Sequence, residues 1–350
     1  MPVLPPGTRP TRRTRIVCIS DTHNSTVKLP KGDVLLHAGD LTNQGSYSEL
    51  SRAVQWLEKA DFEAKIVIAG NHDITLDCDF YSRYGPSFHN QDPQDHAKCL
   101  SLLTSSRTIT YLQHNSATIR LTDPDGPGTE FTVFGSPYSP EYGLWAFTYR
   151  HPNYAPAASG PHNEAITSLS AAELWATVPE DIDVLVTHTP ASTHCDNSMG
   201  CEDLRRTLAR VRPRLHVCGH VHRGRSAERV RWDTDSLDIG DEVASEAAVE
   251  PWQDPNPDPG SAKMSLVDLT GRGGKRPLEF QRTQSIHGKS DLPEPLQRPQ
   301  CTTRPDPMGH LGRRETCVVN CSIMATSWPH VGGKRFNKPI VVDVDLPVWR

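Results

Sequence analysis

Short apolar runs rich in valine and isoleucine recur along this 350-residue chain. Eight of them have the length of a β-strand: RIVCIS (15–20), DVLLHAG (33–39), KIVIAG (65–70), FTVFGS (131–136), DVLVTH (183–188), LHVCGH (215–220), CVVNCSI (317–323) and PIVVDVDL (339–346). Most are continuous rather than alternating, which is typical of strands covered on both faces. The runs therefore predict buried sheets, and a chain of this length can bury such a core without disulfides.

Amphipathic helical patterns lie between several of these runs. In SYSELSRAVQWLEKADF (46–62), Leu50, Val54 and Leu57 recur at helical spacing after a serine cap. Similar patterns occupy 94–106, 169–178 and 200–213. Strands that alternate with helices predict a layered α/β fold.

The composition changes along the chain and predicts its domain organisation. Residues 1–14 form a basic, proline-rich tail, and 15–234 contain the main strand–helix series. Residues 235–312 are dense in proline and charge and poor in aliphatic side chains, which predicts a long disordered or loosely ordered insertion. Strand character returns in 313–350, so the insertion is predicted to interrupt one domain rather than to end it.

Charge and hydropathy exclude several classes of partner. The net charge of −5 and the pI near 6.3 give no global basic field, so we expect no nucleic acid polymer as a partner. No run approaches the roughly 18 apolar residues of a membrane span, and the N-terminus lacks the apolar region of a secretory signal. Several of the nine cysteines lie inside apolar runs, which favours reduced thiols in a cytoplasmic protein.

Polar residues follow five of the apolar runs, at the point where each predicted strand ends. In chain order they are Asp21 and His23, Asp40, Asn71 with His72 and Asp73, His188, and His220 with His222. In open α/β sheets, functional sites lie beyond the carboxyl ends of the strands. The residues therefore predict one shared site at that edge.

Carboxylate, imidazole and amide groups together suit a pair of divalent Mn, Fe, Zn or Ni ions. One carboxylate can bridge two ions, and Asp40 is the natural candidate. Two such ions can clamp a phosphoryl group and lower the pKa of bound water, so that a hydroxide nucleophile exists near neutral pH. His220 and His222 can reach the same cluster if the chain stays extended, since residues i and i+2 then share a face.

The motif series resembles that of the calcineurin-like metallophosphoesterases. The motifs are D-x-H (21–23), G-D (39–40), G-N-H-D (70–73), a histidine after a strand (188) and G-H-x-H (219–222). IAGNHDITLD, VLVTHTP, GCEDL and RPRLHVCGHVHRG further resemble the branch of metallophosphoesterase-domain-containing proteins, in a fungal-type form. The likeness covers roughly 15–232 and 315–347, and it implies a four-layer α/β/β/α sandwich.

The resemblance also implies a ligand set and a catalytic residue. One ion would be held by Asp21, His23, Asp40 and His222, and the other by Asp40, Asn71, His188 and His220. His72 matches the family's general acid, which protonates or stabilises the leaving group. Asp73 either orients His72 or caps the following turn. Some animal members of the branch lack the histidine at the position of His222; its presence here favours a competent site.

The function that the resemblance implies is hydrolysis of a small phosphoester. A phosphodiester is the favoured substrate, and manganese is the favoured metal. A phosphomonoester, a non-phosphate substrate and a metal-bound scaffold are the alternatives, and a nucleotide is one candidate substrate. Tyr138 and Trp145 either stack on a planar group of the substrate or pack over the sheet edge. Arg223 either contacts phosphate or is a surface charge. Neither membrane contact nor a particular oligomeric state is indicated.

Overall fold

The computed structural model describes residues 10–150, 170–234, 244–272, 276–279, 313–326, 330 and 332–349. The strands in these ranges are β1 (Thr11–Ile19), β2 (Val34–Ala38), β3 (Ala64–Ile68), β4 (Ile109–Leu112), β5 (Asn115–Arg120), β6 (Glu130–Ser136), β7 (Ser139–Pro140), β8 (Thr148–Tyr149), β9 (Val184–Thr187), β10 (Leu215–Cys218), β11 (Ser226–Asp233), β12 (Ser245–Pro251), β13 (Ser265–Asp268), β14 (Glu315–Asn320) and β15 (Ile340–Pro347). The helices are α1 (Tyr47–Lys59), α2 (Cys78–Phe88), α3 (His96–Thr104), α4 (Ala171–Ala176) and α5 (Glu202–Val211).

Two large sheets form the centre of the molecule. The first has the order β13-β15-β1-β2-β3-β4, and the second has the order β12-β11-β14-β10-β9-β6-β5. Strands β1 to β4 are parallel, as are β14, β10, β9 and β6, so their carboxyl ends meet at one edge of each sheet. β7 and β8 pair in a separate two-stranded sheet.

Three apolar clusters separate four layers, and this confirms the predicted α/β/β/α sandwich. The central cluster lies between the sheets and includes Ile16 of β1 and Val217 of β10. A second cluster packs α1, α2 and α3 against the first sheet. A third packs α4 and α5 against the second sheet. Both sheets are thus covered on both faces, which explains why their strands are continuously apolar.

Helix α1 begins where the sequence indicates, because Ser46 and Glu49 form a capping box. Leu50, Val54 and Leu57 are its buried residues, as the spacing predicts. Helix α2 was not predicted from the sequence. It contains a glycine and a proline, and its cap is Asp77, which accepts a hydrogen bond from the Phe80 amide. None of the described helices has both the length and the apolar character needed to cross a bilayer.

Within the predicted insertion 235–312, residues 244–272 contain two strands. β12 adds to the edge of the second sheet beside β11, and β13 lies beside β15 in the first. The physical reason is burial: Val267 and Leu269 insert into the central cluster, and Trp252 packs against it. Residues 280–312 lie outside the described residues, and the predicted domain boundaries stay predictions.

His194 ties β12 to the body of the second sheet. Its Nδ1 lies 2.5 Å from Glu228 of β11, and its Nε2 lies 3.1 Å from Glu246 of β12. Burial alone would lower the pKa of His194, but the hydrogen bond and charge of Glu228 and the charge of Glu246 outweigh it and raise the pKa. Both ring nitrogens therefore donate, as an imidazolium does.

Replacing His194 with glutamine is expected to lower the free energy of unfolding by about 2 kcal/mol at pH 6. Because the folded pKa lies above the usual histidine value, the stabilisation is complete below about pH 6.5 and is lost as pH rises through the folded value. Urea unfolding of both proteins between pH 6 and 9 measures this difference. His89→Gln is the control, since burial lowers the pKa of His89. A difference for His194→Gln that does not shrink with rising pH would contradict the assignment.

Candidate metal centre

The residues that follow the strands meet where the carboxyl ends of the two sheets face each other. The structure brings all seven predicted ligands together: Asp21, His23, Asp40, Asn71, His188, His220 and His222. We call these seven residues the ligand cluster. Asp21 and His188 are fully buried, and Asp40 is 2% exposed. Buried carboxylates of this kind need a positive partner.

Asp40 lies between the two halves of the ligand cluster. Its Oδ2 is 3.5 Å from His23 Nε2, and its Oδ1 is 3.4 Å from His188 Nε2. The backbone amide of His72 also donates to Oδ1, at 2.9 Å. Each carboxylate oxygen therefore faces a different set of imidazoles, which is the arrangement that a bridging ligand requires.

One half of the cluster consists of Asp21, His23 and His222. Their ligand atoms all lie within 4.8 Å of one another. His222 Nε2 is 3.5 Å from Asp21 Oδ1 and 3.3 Å from His23 Nε2. Burial alone would raise the pKa of Asp21, but the hydrogen bond and charge of His222 hold it well below its usual range. Asp21 is accordingly a carboxylate.

The other half is centred on the amide oxygen of Asn71. His188 Nε2 lies 2.9 Å from Asn71 Oδ1, and His220 Nδ1 lies 2.8 Å from the same atom. Burial alone would lower the pKa of His188, but the charge of Asp40 and a hydrogen bond to it raise the pKa to about 9. The charge of Asp40 thus favours the protonated form of His188, whereas burial and the charge of His188 lower the pKa of His220 to about 3.

The ring tautomers test whether the cluster suits metal ions. Nδ1 of His23 contacts Thr42 O at 3.2 Å, Nδ1 of His188 contacts Ala38 O at 2.9 Å, and Nδ1 of His222 contacts the carbonyl of Thr326 at 3.2 Å. A carbonyl oxygen only accepts, so each Nδ1 carries a proton, and Nε2 is the nitrogen that faces the cluster and would offer its lone pair once deprotonated. Lone pairs converging among carboxylates fit bound cations.

The backbone of the cluster lies in the left-handed region at four non-glycine residues. The φ angles are 53° at Asp21, 43° at His23, 54° at Asp40 and 63° at His220. Each costs about 1 kcal/mol or more and is retained where the surrounding structure demands it. Such strain is concentrated at functional sites.

The expectation of an extended segment from His220 to His222 is wrong. Strand β10 ends at Cys218, the chain turns through the positive φ of His220, and His222 begins a short 3₁₀ turn. The two side chains therefore reach opposite halves of the cluster. The turn, rather than a shared strand face, brings both histidines to the site.

His72 lies beside the cluster with its ring fixed from two sides. Its Nδ1 is 2.8 Å from the carbonyl of Asn43, and its ring lies on Trp145 with centroids 3.8 Å apart. The ring is also 4.8 Å from that of His23. Because Nδ1 donates to the carbonyl, Nε2 is left for a substrate at the half-buried face of the residue.

Asp73 performs neither of the two roles predicted for it. Its carboxylate accepts from the Leu41, Thr42 and Gly70 amides and from the Thr42 hydroxyl, and it does not cap the following turn. Burial and the charge of Asp40 raise the pKa of Asp73 to about 6. Asp73 therefore joins the loop after β2 to the loop after β3.

The three residues predicted as candidates for substrate contact lie in different environments. Tyr138 packs against His114 and Phe147. Trp145 stands next to His72, whereas Arg223 is exposed. Sequence reasoning missed Ser322, whose hydroxyl contacts Asp21, and Asn320, which bonds Ser322 and the Val221 carbonyl. The signal was present, because Asn320 and Ser322 are the polar residues of the apolar run CVVNCSI.

Fold and cluster together define a layered α/β protein with buried Asp and His groups that could bind metal ions. The family model for calcineurin-like phosphoesterases matches residues 14–224, and the chain belongs to that family. This confirms the family predicted from the motif series; the fungal-type assignment stays a prediction.

Two relatives match this chain over similar lengths, but the match covers very different shares of the two relatives. The chain is 36% identical over 239 residues to human metallophosphoesterase domain-containing protein 1, covering 64% of this chain and 65% of that protein. It is 39% identical over 222 residues to a probable rhamnogalacturonate lyase C of Emericella nidulans, covering 63% of this chain and 18% of that one. The matches thus span less than two thirds of either relative.

Two solved structures are similar at low identity. TT1561 of Thermus thermophilus has a TM-score of 0.36 and 11% identity, over 64% of this chain and 86% of that chain. A purple acid phosphatase, PPD1 from yellow lupin seeds, has a TM-score of 0.31 and 13% identity, over 65% of this chain and 40% of that chain. At these values neither structure informs the chemistry of the site.

Proposed function

We propose that the protein is a metal-dependent phosphoester hydrolase with a dinuclear centre, and that its preferred substrate is a small phosphodiester. The observation that carries the proposal is the position of Asp40, whose two oxygens face the two halves of the cluster. Asp21, His23 and His222 would hold one ion, and Asn71, His188 and His220 the other. We propose manganese as the metal, one of the divalent ions that a mixed set of imidazole, carboxylate and amide ligands suits.

When bound, the ions would supply positive charge against the phosphoryl oxygens and an activated water. The chain's own groups provide the remaining functions. His72 presents Nε2 beside the cluster and would protonate the departing alcohol oxygen. Its amide orients Asp40, so one short segment positions both the bridging ligand and the acid. The contacts described around the cluster come from carboxylate, amide, imidazole, hydroxyl and backbone groups. Such groups suit a diester substrate, which carries a single negative charge.

The assay that tests this function uses full-length protein loaded with Mn²⁺ and freed of excess metal. We expect hydrolysis of bis(p-nitrophenyl) phosphate, faster than that of p-nitrophenyl phosphate, with about two Mn²⁺ per chain by elemental analysis. Chelation should abolish turnover, and Mn²⁺ should restore it. Two bound ions without turnover of either ester would favour a scaffold, and a faster monoester reaction would reverse the stated preference.

Replacing Trp145 with leucine is expected to lower kcat for the diester by up to about tenfold, with little change in KM. The ring of Trp145 supports His72, and a stacked aromatic pair is worth about 1 kcal/mol. Steady-state kinetics on Tyr138→Leu provides the control, because that ring packs elsewhere. An equal loss of kcat in both variants would show that the effect is general to the loop.

We also propose a cytoplasmic location, since the eight described cysteines are all free thiols and most are buried. Cell fractionation checks it.

A further inference from the structure

A segment outside the matched family region reaches the ligand cluster. Residues 320–326, which we call the C-terminal clamp, begin at the last residue of β14 and lie beyond the long stretch 235–312. Resting on the proposed function, we propose that Ser322 is a positioning residue for the proposed metal ligand Asp21. The clamp would thereby support mainly the ion that Asp21, His23 and His222 would hold.

The central contact joins two fully buried side chains. Ser322 Oγ lies 2.8 Å from Asp21 Oδ2 and 2.9 Å from Asn320 Oδ1. A hydroxyl has a single proton, and a carboxylate is the stronger acceptor, so Ser322 donates to Asp21. Oδ2 then accepts from both Ser322 and the His220 amide, whereas Oδ1 accepts from the His220 amide at 3.0 Å and faces His222 Nε2 at 3.5 Å. The Ser322 hydroxyl therefore acts on one of the two oxygens and fixes the orientation of the carboxylate.

Asn320 fixes the donor and the histidine loop together. The Ser322 amide donates to Asn320 Oδ1 at 3.2 Å. Asn320 Nδ2 donates to the carbonyl of Val221, at 3.0 Å, and to that of Cys195, at 2.9 Å. Val221 lies between the two histidines of the G-H-x-H motif. One amide side chain therefore couples the position of Ser322 to the loop that carries His222.

The end of the clamp fixes His222 directly. The carbonyl of Thr326 accepts from His222 Nδ1 at 3.2 Å, which directs Nε2 inward. The described side-chain contacts of Asn71 and His188 involve other groups, on the loops after β2, β3 and β10. The His220 amide also donates to both Asp21 oxygens at 3.0 Å, and it stays in place in a variant at position 322. Removing the Ser322 hydroxyl should therefore weaken mainly the ion that Asp21 would hold.

Backbone hydrogen bonds hold the clamp independently of the Ser322 side chain. The amide of Cys321 donates to Cys218 O at 2.9 Å, and that of Ile323 donates to Ser20 O at 2.8 Å. Because these bonds remain in a variant at position 322, loss of the hydroxyl alters the support of Asp21 rather than the course of the chain.

The experiment is a calorimetric Mn²⁺ titration of metal-free, full-length Ser322→Ala. We expect one of two binding steps to weaken by about ten- to a hundredfold and the other to stay within about threefold of wild type. Ser322→Cys, a weaker donor of similar size, should weaken the same step by a smaller factor. Circular dichroism of each metal-free variant verifies folding.

Ser265→Ala is the matched control. Ser265 is a buried serine of β13 whose hydroxyl donates to Asp254 Oδ2 at 2.7 Å. Its replacement should leave both Mn²⁺ binding steps unchanged. The assignment of Ser322 would be overturned if both Mn²⁺ binding steps kept their wild-type affinity in Ser322→Ala and Ser322→Cys. It would also be overturned if both steps weakened equally. A wild-type protein that binds fewer than two Mn²⁺ would instead overturn the proposed dinuclear centre on which it rests.

Discussion

Replacing His72 with alanine is expected to lower kcat for diester hydrolysis by about 10²- to 10⁴-fold. Its imidazole lies beside the cluster with Nδ1 bound to the carbonyl of Asn43, so Nε2 is the atom available to the leaving group. Side-chain truncation leaves the His72 amide and its bond to Asp40 in place. Mn²⁺ affinity should therefore remain close to that of the wild type.

The dependence on the leaving group makes this prediction specific. An acid that protonates the departing oxygen matters most when the alcohol is a poor leaving group. The deficit of His72→Ala should therefore be larger for dialkyl diesters, which lose an alkoxide, than for esters that lose p-nitrophenolate. His89→Ala is the control, because His89 bonds Tyr81 away from the cluster. A deficit independent of the leaving group would remove His72 from the role of acid.

Replacing Gly70 with alanine is expected to abolish binding of both ions and to destabilise the fold by about 1–3 kcal/mol. A methyl group there would overlap the amide nitrogen and Oδ1 of Asp40, and it would lie 2.7 Å from His188 Cε1. Asp40 would have to move, and with it the proposed bridge between the two halves of the cluster.

Mn²⁺ titration and thermal unfolding measure the two effects of this change. Gly271→Ala is the matched control, since the nearest atom to its added carbon is Pro277 Cγ at 3.7 Å. That variant should bind two Mn²⁺ and unfold as the wild type does. Retention of either ion at wild-type affinity by Gly70→Ala would show that Asp40 does not link the two sites.

Much of the architecture follows from local patterns. Continuous valine and isoleucine runs predicted the strands, because a parallel strand between two layers is apolar on both faces. Helix α1 followed from its spacing and cap. The short strand β13 was missed because its apolar residues are few and lie among prolines, so only contact with β15 reveals them as part of a sheet.

The ligand cluster was predictable in its members but not in its geometry. A polar residue after each apolar run identifies the edge of the sheet, since parallel strands end together there. The positive φ of His220 and the turn at His222 have no local signature in histidine residues. The extended interpretation failed for that reason.

The sequence by itself determined the order of strands and ligands along the chain and the chemistry of the donor atoms, because periodicity and residue type are local properties. Only the tertiary structure decided which nitrogen of each ring points inward, that Asp73 joins two loops, and that Ser322 contacts Asp21 across 301 residues of chain. These outcomes depend on hydrogen bonds between distant segments, and a partner is defined only once folding has brought the segments together.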